Sequence, residues 1–468
     1  MSGHRSHRPR PARHHVQPAR RVAYETMRAV HDSNAYANLL LPRSIRRAGL
    51  SPADAGLATE LTYGTLRRQG TYDAVIALAA GRETAAIDPP VLDALRLGAH
   101  QLLSTRVASH AAVNESVALV AESARGATGF ANAVLRRIAR DTPGDWMSLL
   151  DERARAEDER LGLRHAHPVW VLRAFRRALA AEGRADELDA LLSADNAAPT
   201  VTLAALPGVA VPPEEAQRTR YSPIGFALPG GDPEPVITAA GGTIRVQDEG
   251  SQLAALALSR CAPVRAGERW LDLCAGPGGK TAMLAAEALA GGASLEANEP
   301  VPARAGLVRD SVAGVPLEIP VSEEDGRTRA ANAPGAYDRI LVDAPCTGLG
   351  ALRRRPEARW RKQPSDVPEL AALQGELLDA AIRALAPGGV VAYVTCSPHL
   401  AETAAVVAEA RRAWAGAIEE LDARAVLQGL ARHPLDLPAP EDGSGRAQLW
   451  PHRHGTDAMF ISLLRRTG

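Results

Sequence analysis

The stretch Leu271-Asp272-Leu273-Cys274-Ala275-Gly276-Pro277-Gly278-Gly279-Lys280-Thr281 decides the fold of this 468-residue chain. A short apolar run leads into a glycine-rich turn, and a helical pattern begins at Thr281. Doubly wound α/β domains bind nucleotide-like cofactors at such a turn, at the carboxyl end of a strand. The stretch therefore predicts an α/β, Rossmann-like domain with a cofactor-binding loop.

Strands and helices alternate from residue 242 onward, which is typical of a mainly parallel sheet with helices on both faces. The strand candidates are residues 270–273, 294–297, 317–321, 339–342, 390–395 and, as a closing strand, 458–463. The helical patterns fall on residues 281–290, 302–312 and 369–385. We expect the α/β domain to cover residues 238–468.

The N-terminal half divides into three parts. Residues 1–20 are rich in arginine, histidine and proline, so we expect a disordered basic tail. Residues 21–142 are helical throughout, with helix starts at Ser51-Pro52 and Asp88-Pro89, and predict a compact all-α domain. Residues 143–237 have weaker patterns, first helical and then proline-rich, which indicate a small connecting domain.

Three cofactor classes compete for the glycine turn. A P-loop, G-x-x-x-x-G-K-[ST], ends as Gly279-Lys280-Thr281 does, but Cys274 stands at its first glycine. A dinucleotide fingerprint, G-x-G-x-x-G/A, fits Gly276 and Gly278 but meets a threonine at its last position. S-adenosylmethionine has no phosphates and needs an acid for its ribose after the next strand, where Glu299 stands. We favour S-adenosylmethionine.

Two cysteines follow strand-like runs: Cys346 closes Asp343-Ala344-Pro345-Cys346, and Cys396 lies in Thr395-Cys396-Ser397. The carboxyl ends of parallel strands meet at one edge of a sheet, so both thiols should face the cofactor. Thiols in that setting indicate covalent catalysis, although a free cysteine is more often a small core residue. Cys261, which has no such context, is expected to be structural, and Cys274 to contribute its backbone.

Composition excludes several classes of protein. Lys+Arg and Asp+Glu are balanced at 54 each, so any nucleic-acid surface must be local. The four cysteines include no C-x-x-C pair, which argues against a disulfide framework and a zinc site. The chain has no apolar run of membrane-spanning length and no signal core. We expect a cytoplasmic protein with no metal and no membrane partner.

These motifs together resemble the RNA 5-methylcytosine methyltransferases of the RsmB and Nop/Sun group. The matching segments are residues 246–252, 271–281, Glu299 with Arg304, 325–327, 337–346, 395–397 with Glu402, and 449–457. Residues 58–67 and 130–137 resemble the NusB-type RNA-binding domain of RsmB proteins. The resemblance covers nearly the whole chain. It implies S-adenosylmethionine-dependent methylation of cytosine carbon 5 in RNA. Small-subunit ribosomal RNA is the expected substrate.

The resemblance also implies a role for each site residue. Glu299, which stands where many relatives have Asp, holds the ribose, and Asp325 holds the adenine amino group. Asp343 lies between the donor and the target base. Cys396 is the nucleophile that adds to carbon 6, and Cys346 assists proton removal and release. The loop around the methionine end of the donor comprises Cys274, Ala275, Gly276, Pro277, Gly278, Gly279 and Lys280.

Three alternatives stay open at this point. DNA cytosine methyltransferases use a Pro-Cys nucleophile, so the residue pattern alone leaves Cys346 as a rival. The substrate could be tRNA, or the chain could be an RNA-binding factor with an inactive methyltransferase fold.

A basic run follows Cys346 and predicts contacts to the phosphates and to an unpaired or flipped base of RNA. The alternative is that these charges only form a solvated surface. The run comprises Arg353, Arg354, Arg355, Arg359, Trp360, Arg361 and Lys362.

Overall fold

A computed structural model describes residues 16–33, 35–229 and 231–468 of the chain. It divides into two compact units, Met1–His167 and Pro168–Gly468. Residues 1–15 of the expected basic tail therefore lie outside the described residues.

The first unit is all-helical in its described residues, as the sequence predicts. Its α-helices are α1 Pro18–Ser33, α2 Ala37–Ala48, α3 Pro52–Arg67, α4 Gln69–Ala80, α5 Pro89–Ser104, α6 Ser109–Ser123, α7 Thr128–Ile138, α8 Pro143–Arg153 and α9 Glu157–His165. Short 3-10 helices span Thr84–Ala86 and Arg125–Ala127.

Helix starts in this unit follow the signals in the sequence. At the start of α3, the Ser51 hydroxyl accepts a hydrogen bond from the backbone N–H of Asp54, and a proline occupies the first helical position. Helix α1 begins at Pro18, inside the expected tail, and its Arg20 is buried with its Nε donating to Gln101 Oε1 at 2.7 Å. That buried contact keeps residues 18–20 in the folded unit.

The second unit contains helices α10–α21 and strands β1–β12. In chain order they are α10 Val169–Ala180, α11 Leu188–Ala194, β1 Thr202–Ala205, β2 Gln217–Arg218, β3 Gly225–Ala227, α12 Glu234–Ala239, β4 Ile244–Val246, α13 Glu249–Ser259, β5 Arg269–Asp272, α14 Gly279–Gly291, β6 Ser294–Asn298, α15 Pro302–Val312, β7 Val321–Ser322, α16 Gly326–Ala331, β8 Tyr337–Asp343, α17 Ala358–Arg361, α18 Asp366–Ala384, β9 Leu385–Thr395, α19 Ala404–Ala413, β10 Ile418–Leu421, α20 Ala423–Leu430, β11 Ala447–Gln448, α21 Pro451–His454 and β12 Phe460–Arg466. Short 3-10 helices span Ala185–Glu187, Leu349–Ala351 and Leu400–Glu402.

The main sheet has the strand order β10-β12-β9-β8-β5-β6-β7, with β11 paired to β12. Strands β9, β8, β5, β6 and β7 are parallel to their neighbours in this series, and β12 and β10 close the sheet in antiparallel pairs. The prediction of a mainly parallel sheet in an α/β domain is confirmed. After a register shift between Tyr337 and Arg339, the parallel strands β8 and β9 stay in register up to the pair Asp343 and Val394.

Both faces of the sheet are buried, as expected for parallel strands covered by helices. In β8, Leu341 belongs to the hydrophobic cluster on one face, whereas Ile340 and Val342 belong to the cluster on the other. In β9, Ala392 and Tyr393 alternate in the same way. This packing fixes the carboxyl ends of the central strands, where the predicted site residues follow.

Two regions differ from expectation. The strand expected over residues 317–321 is reduced to β7, because Pro316 and Pro320 lack the N–H that a ladder needs. The small antiparallel sheet, with the order β2-β3-β1-β4, extends to Val246, past residue 237, where we expected the connecting domain to end. Helices α8 and α9, which we assigned to that domain, lie in the first unit.

Candidate active site

The glycine turn between β5 and α14 forms a cradle that side chains would fill. Gly278 has φ +99°, and a Cβ there would lie 2.5 Å from Ser311 Cβ and 2.9 Å from Val308 Cα. A Cβ on Gly276 would lie 2.3 Å from Glu299 Oε2. Only glycine fits at Gly278, and a side chain at Gly276 would displace the ends of the Glu299 and Arg304 side chains. Backbone N–H and C=O groups therefore line the turn.

Glu299 lies against this turn, directly after β6. Asp325 ends the loop before α16. Glu299 is buried, and its Oε2 accepts a hydrogen bond from Gly276 N at 3.1 Å. Asp325 is exposed and pairs with Arg327, whose hydrogen bonds hold the pKa of the Asp325 carboxyl at about 2. Each carboxylate is thus held by a neighbour in a fixed orientation.

The two strand-end cysteines are in contact. Cys346 lies in the loop after β8, Cys396 follows β9 directly, and their Sγ atoms are 3.5 Å apart. Both thiols are partly accessible. The structure brings together the two residues that the sequence placed at one edge of the sheet.

The environment makes the two thiols unequal. The hydrogen bond from Cys346 lowers the pKa of Cys396, although burial and Asp343 oppose that shift. The cations Arg355 and Lys280 lower it further. Cys396 is therefore the thiol that ionises more easily.

The pKa of Cys346 is shifted in the opposite direction, upward. The hydrogen bond to Cys396 raises the pKa of the Cys346 thiol well above its ordinary value, and so do burial, the charge of Cys396 and Glu402. Of the two thiols, Cys396 therefore loses its proton first, which makes it the readier nucleophile.

Lys280 of the glycine turn pairs with Asp343 at the end of β8. Lys280 Nζ donates to Asp343 Oδ2 at 2.7 Å, and the lysine side chain is 11% exposed. Burial lowers the pKa of Lys280, but the charge and hydrogen bond of Asp343, together with the charges of Cys396 and Asp272, outweigh burial and raise it. Both residues are site candidates in the sequence, but no sequence signal indicates that they form an ion pair.

The basic run after Cys346 is in part structural. Arg354 Nη2 lies 2.7 Å from Asp248 Oδ1, and its Nε lies 3.2 Å from Asp457 Oδ1. Arg353 is buried and donates to the backbone oxygen of Gly455 at 2.9 Å. These arginines anchor the loop internally instead of facing a ligand.

Arg359 is also internal. It is fully buried and donates to Asn196 Oδ1 and to the backbone oxygen of Asp195. The prediction of RNA contacts is therefore wrong for Arg353, Arg354 and Arg359. Arg355 is exposed, and Trp360, Arg361 and Lys362 are partly exposed, so for these four it stays a prediction.

Arg354→Ala and Arg355→Ala provide a matched test of the distinction between internal and exposed arginines in this run. Arg354→Ala leaves two buried carboxylates short of a cation, and we expect it to lower the free energy of unfolding by about 1.5–3 kcal/mol. Because Arg355 is exposed, Arg355→Ala should lower that energy by less than Arg354→Ala does. It should instead reduce the log–log salt slope of RNA binding by about 0.7–0.9.

Urea unfolding and RNA titrations at several salt concentrations measure both effects. Equal stability losses in the two variants would contradict the division between internal and RNA-facing arginines.

No group of three or more His, Cys, Asp or Glu side chains in ranges 16–33, 35–229 and 231–468 could hold a metal ion. Within the same ranges, no helix is both long enough and apolar enough to cross a bilayer.

Two family models match the chain. The model of the 16S rRNA methyltransferase RsmB/F matches residues 261–465. The NusB family model matches residues 17–140. The resemblance drawn from the motifs is thereby confirmed for both units.

Similar proteins match over almost the full length. A Mycobacterium tuberculosis protein (strain H37Rv) described as a methyltransferase is 50% identical over 472 residues, covering 97% of this chain and 98% of its own. The ribosomal RNA small subunit methyltransferase B of Pseudomonas putida is 34% identical, covering 91% and 95%. That of Pseudomonas syringae pv. tomato is 32% identical, covering 95% and 96%.

Solved structures share the fold at lower identity. The crystal structure of PH0851 has a TM-score of 0.79 at 23% identity and covers 97% of this chain and 99% of its own. A methyltransferase homologue from Pyrococcus horikoshii has a TM-score of 0.52 at 22% identity, covering 68% and 99%.

Proposed function

Because the chain belongs to the 16S rRNA methyltransferase RsmB/F family, we propose that it methylates carbon 5 of a cytosine in small-subunit ribosomal RNA, with S-adenosylmethionine as the methyl donor. The observation that carries the chemistry is the pair of thiols 3.5 Å apart at the end of β8 and β9. The names of the Pseudomonas relatives support the choice of ribosomal RNA over tRNA. The intact thiol pair argues against an inactive binding factor.

The residues around the glycine turn fit S-adenosylmethionine. The cradle at Gly276 and Gly278 excludes side chains, and Glu299 lies directly against it. Lys280 is engaged by Asp343, so the turn offers no free lysine as a phosphate clamp, and the donor has no phosphate to clamp. When bound, the donor supplies an electrophilic methyl group on a sulfonium sulfur. Residues 274–280 would hold its methionine end, Glu299 its ribose and Asp325 its adenine.

Cys396 begins the reaction on the base. Cytosine carbon 5 is a weak nucleophile, and addition of a thiolate to carbon 6 converts the ring into an enamine. The lowered pKa of Cys396 supports this role, because it raises the thiolate fraction at neutral pH.

Cys346 ends the reaction. As long as Cys396 is anionic, its charge and hydrogen bond keep the pKa of Cys346 high and the thiol protonated. Once the Cys396 sulfur is bonded to carbon 6, that charge is gone. Cys346 then ionises more easily and gives its own proton to solvent. Its thiolate can take the proton from carbon 5, so that Cys396 leaves as a thiolate.

Asp343 orients the base. Lys280 holds its Oδ2, and Oδ1 has no hydrogen-bond partner in the part of the chain that the structure describes. That oxygen can accept the cytosine amino N–H, while the neighbouring lysine cation offsets negative charge on the ring. The base must leave its stack to reach this site, so unpaired or flipped RNA is the expected substrate.

Loss of either proposed donor carboxylate should weaken donor binding. Glu299→Ala and Asp325→Ala each remove a hydrogen bond to the ribose or adenine, and we expect about tenfold or larger losses of affinity. Isothermal calorimetry with S-adenosylmethionine measures the effect, and Glu318→Ala, an exposed acid before β7, is the matched control. Wild-type affinity in both variants would remove the assignment of this site.

The function itself is tested in cells. Bisulfite sequencing of ribosomal RNA and tRNA from a deletion strain should show one unprotected cytosine in small-subunit rRNA. Wild-type protein should restore protection and Cys396→Ala should not. A lost mark in tRNA, with rRNA unchanged, would reassign the substrate.

A further inference from the structure

Glu402 connects the segments that carry the two thiols. It ends the 3-10 helix Leu400–Glu402 and is fully buried. Its Oε1 accepts a hydrogen bond from the Thr347 backbone N–H at 2.7 Å, and its Oε2 accepts from the hydroxyls of Thr347 at 2.5 Å and Ser397 at 2.6 Å. Thr347 follows Cys346 directly, and Ser397 follows Cys396.

From this arrangement we infer that Glu402 is a positioning residue that sets the spacing of the two thiols for attack on the base and release of the product. This inference rests on the proposed function. The Glu402 carboxylate makes its hydrogen bonds to Thr347, Ser397 and Gln374 and not to either sulfur, so it acts through the residue that follows each cysteine.

The strand ladder alone does not fix the thiols. The register of β8 and β9 ends at Asp343 and Val394, so both cysteines lie beyond it. Past that point, one carboxylate ties both loops together, and the hydroxyls of Thr347 and Ser397 are also 3.1 Å apart. Without Glu402 these loops lose their common acceptor.

Glu402 is itself firmly held. The Tyr393 hydroxyl donates to its backbone oxygen at 2.7 Å, and Gln374 Nε2 lies 3.3 Å from its Oε1. Gln374 Nε2 also donates to the backbone oxygen of Pro345 at 2.8 Å, the residue before Cys346. The carboxylate is therefore a rigid reference point for both loops, as a precise reaction geometry requires.

The charge of Glu402 adds an electrostatic effect to the spacing. It is among the groups that raise the pKa of Cys346, after the contact with Cys396 and burial. Removing the charge while keeping the shape should therefore make Cys346 ionise at lower pH. A residue that only filled space would not change that titration.

The test compares Glu402→Ala and Glu402→Gln with the control Glu409→Gln, an exposed acid on α19. In a Cys346→Ala background, the rate of covalent adduct formation with the RNA substrate reports the attack by Cys396. We expect about a 100-fold loss with Glu402→Ala, as for a misplacement of about 1 Å, and a smaller loss with Glu402→Gln, whose amide can still bridge the hydroxyls. The affinity for S-adenosylmethionine should not change.

Two measurements without RNA complete the test. Cross-linking of Cys346 to Cys396 by dibromobimane, mapped on peptides, should be slower in Glu402→Ala than in wild type. The pH profile of Cys346 alkylation by iodoacetamide should move to lower pH in Glu402→Gln.

Adduct formation in Glu402→Ala within about twofold of the background would overturn the inference. If Glu402→Ala does not fold, an unchanged alkylation profile in Glu402→Gln would overturn it. If the RNA forms no adduct in any variant but cross-linking and alkylation change as expected, the positioning role holds and the proposed function fails.

Discussion

In Cys396→Ala we expect methyl transfer to fall below detection, a loss of more than about 10⁴-fold, and no covalent RNA–protein species to form. The reason is chemical: without addition at carbon 6, carbon 5 does not become an enamine and does not attack the methyl donor. Methyl incorporation into RNA from labelled donor measures the rate, and a denaturing gel measures the adduct. Cys261→Ala, outside the strand-end pair, is the matched control and should keep wild-type activity.

Cys346→Ala should behave in the opposite way on the gel. Cys396 can still attack, so the adduct forms, but the base that takes the proton from carbon 5 is missing and the adduct persists. It should carry the methyl label. The attack itself should be slower at neutral pH than in wild type, because the hydrogen bond from Cys346 is what lowers the pKa of Cys396 most.

The two variants also decide between the rival nucleophiles. An adduct in Cys396→Ala and none in Cys346→Ala would reverse the roles and give the arrangement of the DNA enzymes. Full activity in both variants, without any adduct, would refute covalent catalysis in this protein. The unequal pKa shifts of the two thiols favour Cys396, which the family resemblance also implies and which the residue pattern alone leaves open.

Much of the α/β unit could be predicted because its signals are local. The glycine turn between β5 and α14 follows an apolar run, and parallel strands must bring their carboxyl ends to one edge. Asp343, Cys346 and Cys396 could therefore be assigned to one site before their distances were known. Strand β7 could not be bounded in this way, because Pro320, directly before it, decides where its ladder begins.

The prediction of RNA contacts is wrong for part of the basic run after Cys346, and the reason is physical. A row of arginines resembles a phosphate-binding surface as long as its acidic partners are unknown. The partners of Arg354 are Asp248 and Asp457, which lie 106 and 103 residues away in the chain. Only the folded arrangement reveals such long-range pairs, and the same holds for Lys280 with Asp343 and for Glu402 between the two thiol loops.

The pair of Lys280 and Asp343 leads to the second large effect, in Asp343→Asn. We expect kcat to fall by about 10²–10⁴-fold, the range for a group that exchanges or orients protons at the reacting atoms. The amide presents an N–H where the cytosine amino group needs an acceptor, or else turns its N–H toward Lys280. Single-turnover methylation measures the loss, and Asp338→Asn, at the other end of β8, is the control.

A second readout separates this effect from simple damage to the site. Asp343 raises the pKa of Cys396 more than Lys280 lowers it, so removing the carboxylate should lower that pKa even if Lys280 loses its proton as well. Iodoacetamide should then alkylate Cys396 faster at neutral pH, while methylation becomes slower. If Cys396 becomes more reactive while methylation becomes slower, Asp343 acts on the cytosine base and not on the thiol. Slower alkylation together with slower methylation would instead mean that Asp343 serves the thiol.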